Sequence, residues 1–280
     1  MMEVNLNTLA KEAQNGSKES LEKLLSHIQG FIYNLAIRML KTPFEAEDAT
    51  QDILIRIMTH LGQFRGESAF LTWAYRIATT TLINRYNRDT HKTQISFDHI
   101  SQQLETSLAL SDSSAEDVYE DITLVEEVRR SCTLGMLMCL NHEDRLALVL
   151  GELIGISSDD ASYIMGISAP AYRKRLSRAR QALVAFVSHR CGIINTENPC
   201  KCHKHVQNKI RIGMMTPDSL VYNTPHSADS CTALEQANLV ELEQATRTMA
   251  LFRAHPEYAS NTNFAEMIRQ MFISPDQDRL

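Results

Sequence analysis

The chain has 280 residues, which is long enough for two or three small domains. Hydrophobic residues make up 44% and charged residues 22%, the balance of a soluble protein, and no run of about 18 apolar residues could cross a membrane. The N-terminus has no basic and then apolar secretion signal, so we expect a cytosolic protein with no membrane partner, whose six cysteines are thiols or metal ligands rather than disulfides.

Helical periodicity dominates the sequence and β-type alternation is nearly absent, which predicts an all-α fold. In chain order, we expect a helix pair over 5–29 interrupted at 15–17, an apolar helix over 28–40, a helix over 43–61, a loop over 64–68 and a long helix over 69–88. These elements make up the first predicted domain, residues 1–90.

The remaining chain divides into three predicted parts. Residues 91–124 are polar, acidic and Ser-rich without a sustained period, so we interpret them as a flexible linker, with a short helix near 116–130. Because the acidic residues are concentrated there, a chain of net charge −6 can still carry a basic region elsewhere. A second helical domain is predicted over 125–187. Residues 188–280 form a mostly helical C-terminal extension, with amphipathic helices near 232–254 and 262–273.

The strongest functional pattern lies within the second domain. Ser157 or Ser158 can cap a short apolar helix, Gly166 falls at a tight turn, and Pro170 opens a second helix. That second helix carries the cations Arg173, Lys174, Arg175, Arg178 and Arg180. A solvated surface helix would also be basic, but the glycine at the turn and the apolar residues on the opposite face favour a helix-turn-helix. The second helix of that motif enters a DNA major groove.

A second pattern mixes aromatic and basic residues over 64–88. The candidate residues are Phe64, Arg65, Trp73, Tyr75 and Arg76. Aromatic rings stack on unpaired bases at about 1–3 kcal/mol each while cations follow the phosphates, so this is the chemistry of a single-strand binding surface. Packing in a helical core explains the aromatic residues equally well, and Trp73 and Tyr75 cannot share one helix face.

Two segments resemble a known family. Residues 45–78, EAEDATQDILIRIMTHLGQFRGESAFLTWAYRIA, closely resemble conserved region 2 of bacterial RNA polymerase sigma factors of the extracytoplasmic-function (ECF) class. Residues 140–183, LNHEDRLALVLGELIGISSDDASYIMGISAPAYRKRLSRARQAL, resemble their region 4, and the two segments come in the family's order with an acidic linker between them. The resemblance implies a sigma factor with a C-terminal extension, a promoter-specificity subunit that is not an enzyme and requires no cofactor.

The resemblance also implies roles for individual residues. One face of the predicted 43–61 helix would dock on the clamp of the polymerase β′ subunit through Asp48, Gln51, Asp52 and Arg56. The loop over 64–70 would capture a flipped base of the promoter −10 element, and the aromatic and basic residues named above would hold the melted strand. The helix-turn-helix would bind the −35 element and contact the β flap, and an anti-sigma factor is an expected regulator.

Three places depart from the family's pattern. Thr80 stands where many members carry Asn, Asn141 where many carry Pro, and Pro170-Ala171 replaces the usual small polar opening of the recognition helix. These departures bear on the preferred DNA sequence rather than on the fold.

The extension concentrates thiols and imidazoles, with candidate metal ligands at Cys191, Cys200, Cys202 and His203. These side chains could hold zinc, could oxidise or could remain unliganded, because their spacing lacks the CxxC pair of common zinc ribbons. Some ECF sigma factors carry a regulatory extension with a similar CG…NPCxC run. We therefore predict that residues 188–280 regulate the two DNA-binding domains and are not needed to build them. The alternative is a constitutive strut that packs on the second domain.

The competing function is a free-standing helix-turn-helix transcription regulator, with the N-terminal half serving dimerisation or sensing. Binding to core polymerase separates the two functions, because a regulator binds duplex operator DNA unaided. An enzyme is disfavoured, since the sequence has no phosphate-binding loop, no nucleophile paired with a base and no His/Glu zinc-hydrolase spacing.

Overall fold

The structure is a computed structural model that describes residues 5–88, 95–112, 121–218, 220–222, 244–260 and 262–273. These residues form helices and no strand, and their one β contact is an isolated bridge between Cys191 and Cys200. The predicted all-α fold class is confirmed. Within the described ranges, no helix combines the length and the apolar character that a membrane crossing needs.

The α-helices of the described residues are α1 (Leu6–Gln14), α2 (Lys18–Leu40), α3 (Pro43–Thr59), α4 (Phe70–Arg88), α5 (Phe97–Asp112), α6 (Ile122–Cys139), α7 (His142–Leu148), α8 (Ser158–Met165), α9 (Ala169–Ser188), α10 (Val206–Arg211), α11 (Gln244–Arg253) and α12 (Phe264–Ile273). Short 3-10 helices lie at Leu61–Gln63 and Cys202–His205, and a π-helical turn lies at Val149–Leu153.

Contacts between Cα atoms group the described residues into two units. Unit 1 contains those of 1–91, 157–172 and 258–280, and unit 2 contains those of 92–156 and 173–257. These borders differ from the predicted domain borders in two respects. The short helix α8 groups with the N-terminal helices, and the described part of the extension is divided between the units.

Local capping explains where the first three helices of unit 1 begin. The side chains of Asn5, Ser17 and Thr42 accept hydrogen bonds from backbone N–H groups in the first turns of α1, α2 and α3. The predicted interruption at 15–17 is confirmed, whereas α2 runs through to Leu40 as one helix. A continuous buried apolar stripe along α2 makes the single glycine at 30 tolerable, and no cap or proline interrupts the helix there.

The predicted linker contains a helix that its composition conceals. α5 packs in unit 2, where Phe97 stacks against Phe186 with 4.9 Å between ring centroids and Ser101 accepts a hydrogen bond from Arg190. Apolar residues recur at helical spacing inside this acidic and Ser-rich sequence, at Phe97, Ile100, Leu104 and Leu108. The expectation of an irregular segment over 91–124 is therefore corrected for the residues of α5.

α6 is the central helix of unit 2 and is buried along almost its whole length. It coincides with the later part of the short helix expected near 116–130, whereas 113–120 lie outside the described residues. Polar side chains of α6 find partners in the extension. The Glu127 carboxylate accepts bonds of 2.7–3.0 Å from the backbone N–H groups of Val221 and Tyr222, and the Arg130 guanidinium donates to the Tyr222 carbonyl at 3.2 Å.

An apolar cluster reinforces this contact, because Leu124 and Val128 of α6 pack with Val206 and Met215 of the extension. This packing favours the strut alternative for the described part of the extension in unit 2. Of the two helices predicted in the extension, α11 lies in unit 2, and α12 packs against α2 and α3 in unit 1. Residues 232–243, the first part of the helix predicted near 232–254, lie outside the described residues.

Candidate nucleic-acid and polymerase interface

Three aromatic rings form a cluster at the start of α4. The ring centroids of Phe64, Phe70 and Trp73 lie 5.2–5.5 Å from one another, and Phe64 meets Phe70 edge to face. Trp73 is half-buried, but Phe64 and Tyr75 are only 6% and 3% exposed, so neither of those rings can stack on a base. The expectation that Phe64 and Tyr75 belong to the DNA surface is corrected. Both are core residues, as large aromatic side chains often are.

α1 holds the loop before α4 in place. Gln14 Nε2 donates to the backbone carbonyls of Leu61 and Phe64, both at 2.8 Å. Asn7 Oδ1 accepts a hydrogen bond from the Phe70 N–H at 2.7 Å. Gly66 has φ +75°, a left-handed conformation that favours glycine, and Arg65 beside it is exposed. The loop therefore presents a cation on a backbone that is fixed at both ends.

A pocket of about 270 Å³ opens beside the aromatic cluster. It is lined by Arg56, His60, Gln63, Trp73, Arg76, Ile77, Thr80 and Thr81. Arg76 and Thr80 are exposed, and Trp73 is half-buried. An indole for stacking, hydroxyl and amide groups for hydrogen bonding and guanidinium groups for phosphate are the residue types that bind an unpaired nucleotide.

α8 packs against α4 within unit 1. The Tyr163 ring lies over the Arg76 guanidinium, with 4.5 Å between the Arg76 Cζ atom and the ring centroid, which is a cation–π contact. An unpaired base can stack on an Arg guanidinium plane in a similar way. Tyr163 therefore covers a group that a base could use. No local sequence pattern indicates this contact, because the two residues are far apart in the chain.

The exposed side of α3 carries the four residues expected to bind core polymerase. Asp48, Asp52 and Arg56 are exposed and Gln51 is half-buried, as their spacing along one helix face requires. Arg85 of α4 pairs with Asp48 at 2.5 Å and with Asp52 at 3.6 Å. Because exposed ion pairs contribute little net free energy, about 0–1 kcal/mol, these carboxylates can exchange Arg85 for a partner protein at little cost.

The elements of the predicted helix-turn-helix are present in order. Ser157 caps α8 by accepting a hydrogen bond from the Asp160 N–H, and Gly166 ends the helix at φ +65°, the left-handed conformation of a helix C-terminus. α9 then begins at Ala169 with Pro170 in its first turn, where a missing N–H leaves no hydrogen bond unmade.

The cations of α9 fall into two groups. Arg173 and Lys174 are exposed and have no ion-pair partner among the residues that the structure describes. Three arginines contact carboxylates: Arg175 with Glu143 at 2.6 Å, Arg178 with Asp144 through two bonds of 2.7 and 3.2 Å, and Arg180 with Glu152. Sequence reasoning missed these carboxylates, although Glu143 and Asp144, in the same segment 140–183 as the basic helix, could have indicated two of them.

Thiols gather in unit 2 around the isolated bridge between Cys191 and Cys200. Burial, with added repulsion from the nearby Cys132 and Cys191 thiolates, raises the pKa of Cys200 to about 12. The buried imidazole of His205 faces Cys200, with 3.2 Å between Nε2 and Sγ, and its Nδ1 is 2.8 Å from the Ser107 hydroxyl. Burial is the main cause that lowers the pKa of His205 to about 4.

The predicted zinc ligands do not form a metal site in the part of the chain that the structure describes. No three His, Cys, Asp or Glu side chains there are arranged to hold a metal ion. Cys191, Cys200 and Cys202 are half-buried thiols in this arrangement, and their geometry gives the zinc alternative with His203 no support. The imidazole beside them belongs to His205 and not to His203.

Known proteins are similar to most of this chain. A sigma-70 region 2 family model matches residues 24–92. The RNA polymerase sigma-H factor of Pseudomonas aeruginosa is 31% identical over 179 residues, which cover 62% of this chain and 90% of that protein. The ECF RNA polymerase sigma-E factor of Escherichia coli is 30% identical over 177 residues, with coverage of 62% and 90%. A solved structure of CnrH in complex with the cytosolic domain of CnrY aligns with 66% of this chain and 98% of that one, at 21% identity and a TM-score of 0.46.

Proposed function

Because this chain belongs to the ECF class of bacterial RNA polymerase sigma factors, we propose that it directs core polymerase to promoters through two DNA contacts. One is the binding of a −35 element by α9, and the other is the capture of a melted −10 strand at the pocket on α4. Sigma factors are non-catalytic subunits that act with core polymerase and promoter DNA in transcription initiation, and they need no cofactor. We further propose that the protein works in the cytoplasm.

The observation that carries the proposal is the basic face of α9, which follows a capped and glycine-terminated α8. Arg173 and Lys174 are available for bases or phosphates because no carboxylate among the described residues holds them. Arg178 is bonded to Asp144 through two contacts, but its side chain is 51% exposed, so it also faces the solvent from which DNA would approach.

Alanine substitution in the holoenzyme tests the −35 contact. The DNA is a genomic fragment selected by the wild-type holoenzyme from a fragment pool. An arginine that reads a base should contribute about 1–3 kcal/mol and affect one position of the site, whereas a phosphate contact weakens binding uniformly and reduces the salt slope by about 1. Arg269→Ala is the matched control, because Arg269 is an exposed, ion-paired arginine of α12. Unchanged binding in Arg173→Ala, Lys174→Ala and Arg178→Ala would contradict the assignment.

The pocket on α4 supports the −10 contact. Melting needs no catalysis, because trapping unpaired bases compensates the few kcal/mol, about 1–2 per step, that unstacking costs. We expect Arg65→Ala and Arg76→Ala to spare core binding and to lower the permanganate reactivity of thymines in the bubble. Lys23→Ala is the control, since Lys23 is an exposed cation of α2 paired with Glu19. Wild-type reactivity in both arginine variants would rule out this surface.

The exposed face of α3 is proposed to bind the β′ clamp of core polymerase. The helix-turn-helix of α8 and α9 is proposed to contact the β flap. Asp48→Asn and Asp52→Asn keep side-chain size, remove two charges and should weaken co-purification with core polymerase. This measurement also separates the sigma-factor assignment from a free-standing regulator, which would bind duplex DNA equally well without polymerase. An anti-sigma factor that inhibits the protein is proposed to compete for these same surfaces.

A further inference from the structure

A buried carboxylate links the extension to the basic helix α9. Glu152 lies in the π-helical turn Val149–Leu153, and its side chain is only 2% exposed. It contacts two arginines, Arg180 of α9 and Arg253 at the end of α11. All three residues belong to unit 2.

The charges of this group differ from those of an ordinary ion pair. One carboxylate between two guanidinium groups leaves a net charge of +1, whereas Glu152 with Arg180 alone would be neutral. A buried carboxylate requires a charged partner, so without Arg253 it would hold the Arg180 guanidinium more strongly. About half of each arginine side chain is exposed, 46% for Arg180 and 52% for Arg253, so the excess positive charge is accessible to a ligand.

Arg253 is held in position by the packing of α11. This helix packs against the π-helical turn, and its residues Thr248, Leu251 and Phe252 are buried. Further along the chain, the His255 imidazole shares a hydrogen bond with the Thr133 hydroxyl of α6. The guanidinium therefore comes from a fixed helix rather than from a solvated end of the chain.

We propose that Arg253 is a further residue of the DNA-binding surface, contributed by the C-terminal extension. By sharing Glu152, it leaves the Arg180 guanidinium available to a DNA phosphate and adds one positive charge beside α9. The inference rests on the proposed −35 role of α9. It assigns the extension a direct part in DNA binding that depends on charge and not only on packing.

Salt dependence of binding tests the proposal, because each neutralised phosphate contributes about 0.9 to the slope of log K against log salt concentration. The probe is a random-sequence duplex of about 30 base pairs, bound by the full chain in complex with core polymerase. Arg253→Met should reduce the magnitude of the slope by about 0.9, the contribution of one phosphate contact. It should also weaken binding several-fold at low salt. Arg253→Lys keeps the charge and should retain the wild-type slope. Arg269→Met, on α12 in unit 1, is the control and should change nothing.

Adding Glu152→Gln to Arg253→Met separates the effect of charge from an effect on folding. The double variant Glu152→Gln/Arg253→Met has no carboxylate to hold Arg180, so it should recover the wild-type slope. A wild-type slope in Arg253→Met, or a loss that persists in the double variant when thermal unfolding shows both proteins folded, overturns the proposal. If Arg253→Met unfolds, Arg253→Lys decides, because a folded lysine variant with a reduced slope also overturns it. Failure of the −35 assignment is distinguishable, since Arg173→Ala and Lys174→Ala would then leave the slope unchanged as well.

Discussion

The contact between Tyr163 and Arg76 predicts that loss of the Tyr163 ring strengthens binding of the free protein to single-stranded DNA. Both side chains are accessible, Tyr163 by 43%, so the value for an exposed cation–π contact applies, about 0.5–1 kcal/mol. A base that stacks on Arg76 must first displace Tyr163, and this free energy is subtracted from binding. Since about 1.4 kcal/mol corresponds to tenfold, Tyr163→Leu should raise the affinity about two- to fivefold.

Fluorescence anisotropy of the full chain, without polymerase, measures this effect on a labelled mixed-sequence strand of about 12 nucleotides. Leucine keeps apolar bulk against α4 and removes the π face. Ser162→Ala is the matched control, because Ser162 lies on the same helix and its hydroxyl bonds only to its own backbone turn among the described residues.

A double-mutant cycle identifies the cause of any gain. In an Arg76→Ala background Tyr163 has no guanidinium to cover, so Tyr163→Leu should then have no effect. An unchanged affinity in Tyr163→Leu would refute the reasoning. An equal gain in the Arg76→Ala background would refute it too, because the ring would then hinder DNA by bulk and not through Arg76.

Two further predictions concern the stability of unit 2. The folded-state pKa of His205, about 4, lies below its usual 6.5. Its contribution to the free energy of unfolding is therefore complete above pH 6.5 and is lost as the pH falls towards 4. The loss amounts to at most about 3 kcal/mol. Denaturant unfolding at both ends of this window should show that loss in the wild type and not in His205→Gln; an equal loss in both would exclude His205 as its source. Arg130→Met should lower the free energy of unfolding by about 1–3 kcal/mol, because the Tyr222 carbonyl loses its buried donor; Arg269→Met serves as the control, and equal stability of the two variants would contradict the role of that bond.

Local patterns predicted the helix-turn-helix elements because each one depends on neighbours in the chain. Ser157 caps the helix that follows it, Gly166 takes the left-handed conformation beside it, and the apolar spacing of α8 fixes its inner face. The same reasoning located the start of α3, where Thr42 accepts a bond from the Glu45 N–H and proline opens the helix.

Features that depend on distant partners could not be predicted in this way. The residue types show that Phe64 and Tyr75 carry large rings, but only packing decides whether such rings face the solvent or the core. α5 was missed because acidic and serine residues dilute its apolar stripe, and the groups that bury it come from other elements of unit 2. The imidazole beside Cys200 belongs to His205 because the fold of the 3-10 helix, rather than ligand spacing, decides which ring turns inward.

Truncation after Val187 tests what the extension does, because α6 carries side chains whose partners lie beyond that point. Loss of Val206 and Met215 removes two buried apolar residues from the cluster on α6, about 3–6 kcal/mol at 1.5–3 kcal/mol each. Glu127 and Arg130 also lose their backbone partners at Val221 and Tyr222. The total is comparable with the whole stability of a domain, about 5–15 kcal/mol.

We therefore expect the truncated chain to lose hydrogen-exchange protection in α6 and α7 while α2 and α3 keep much of theirs. The relatives align over 90% of their own length but over only 62% of this chain, so more than a third of this chain lies outside the aligned part. Dependence of α6 on the extension would then be a property of this chain, caused by the buried carboxylate of Glu127 and the buried guanidinium of Arg130. Glu127→Leu/Arg130→Met in the truncated chain is the matched comparison, because apolar side chains need no partner from the extension and should restore part of the protection. Full protection of α6 in the simple truncation would contradict the view that the extension is a constitutive strut. The extension would then be a regulatory appendage, and its removal should change transcription without changing stability.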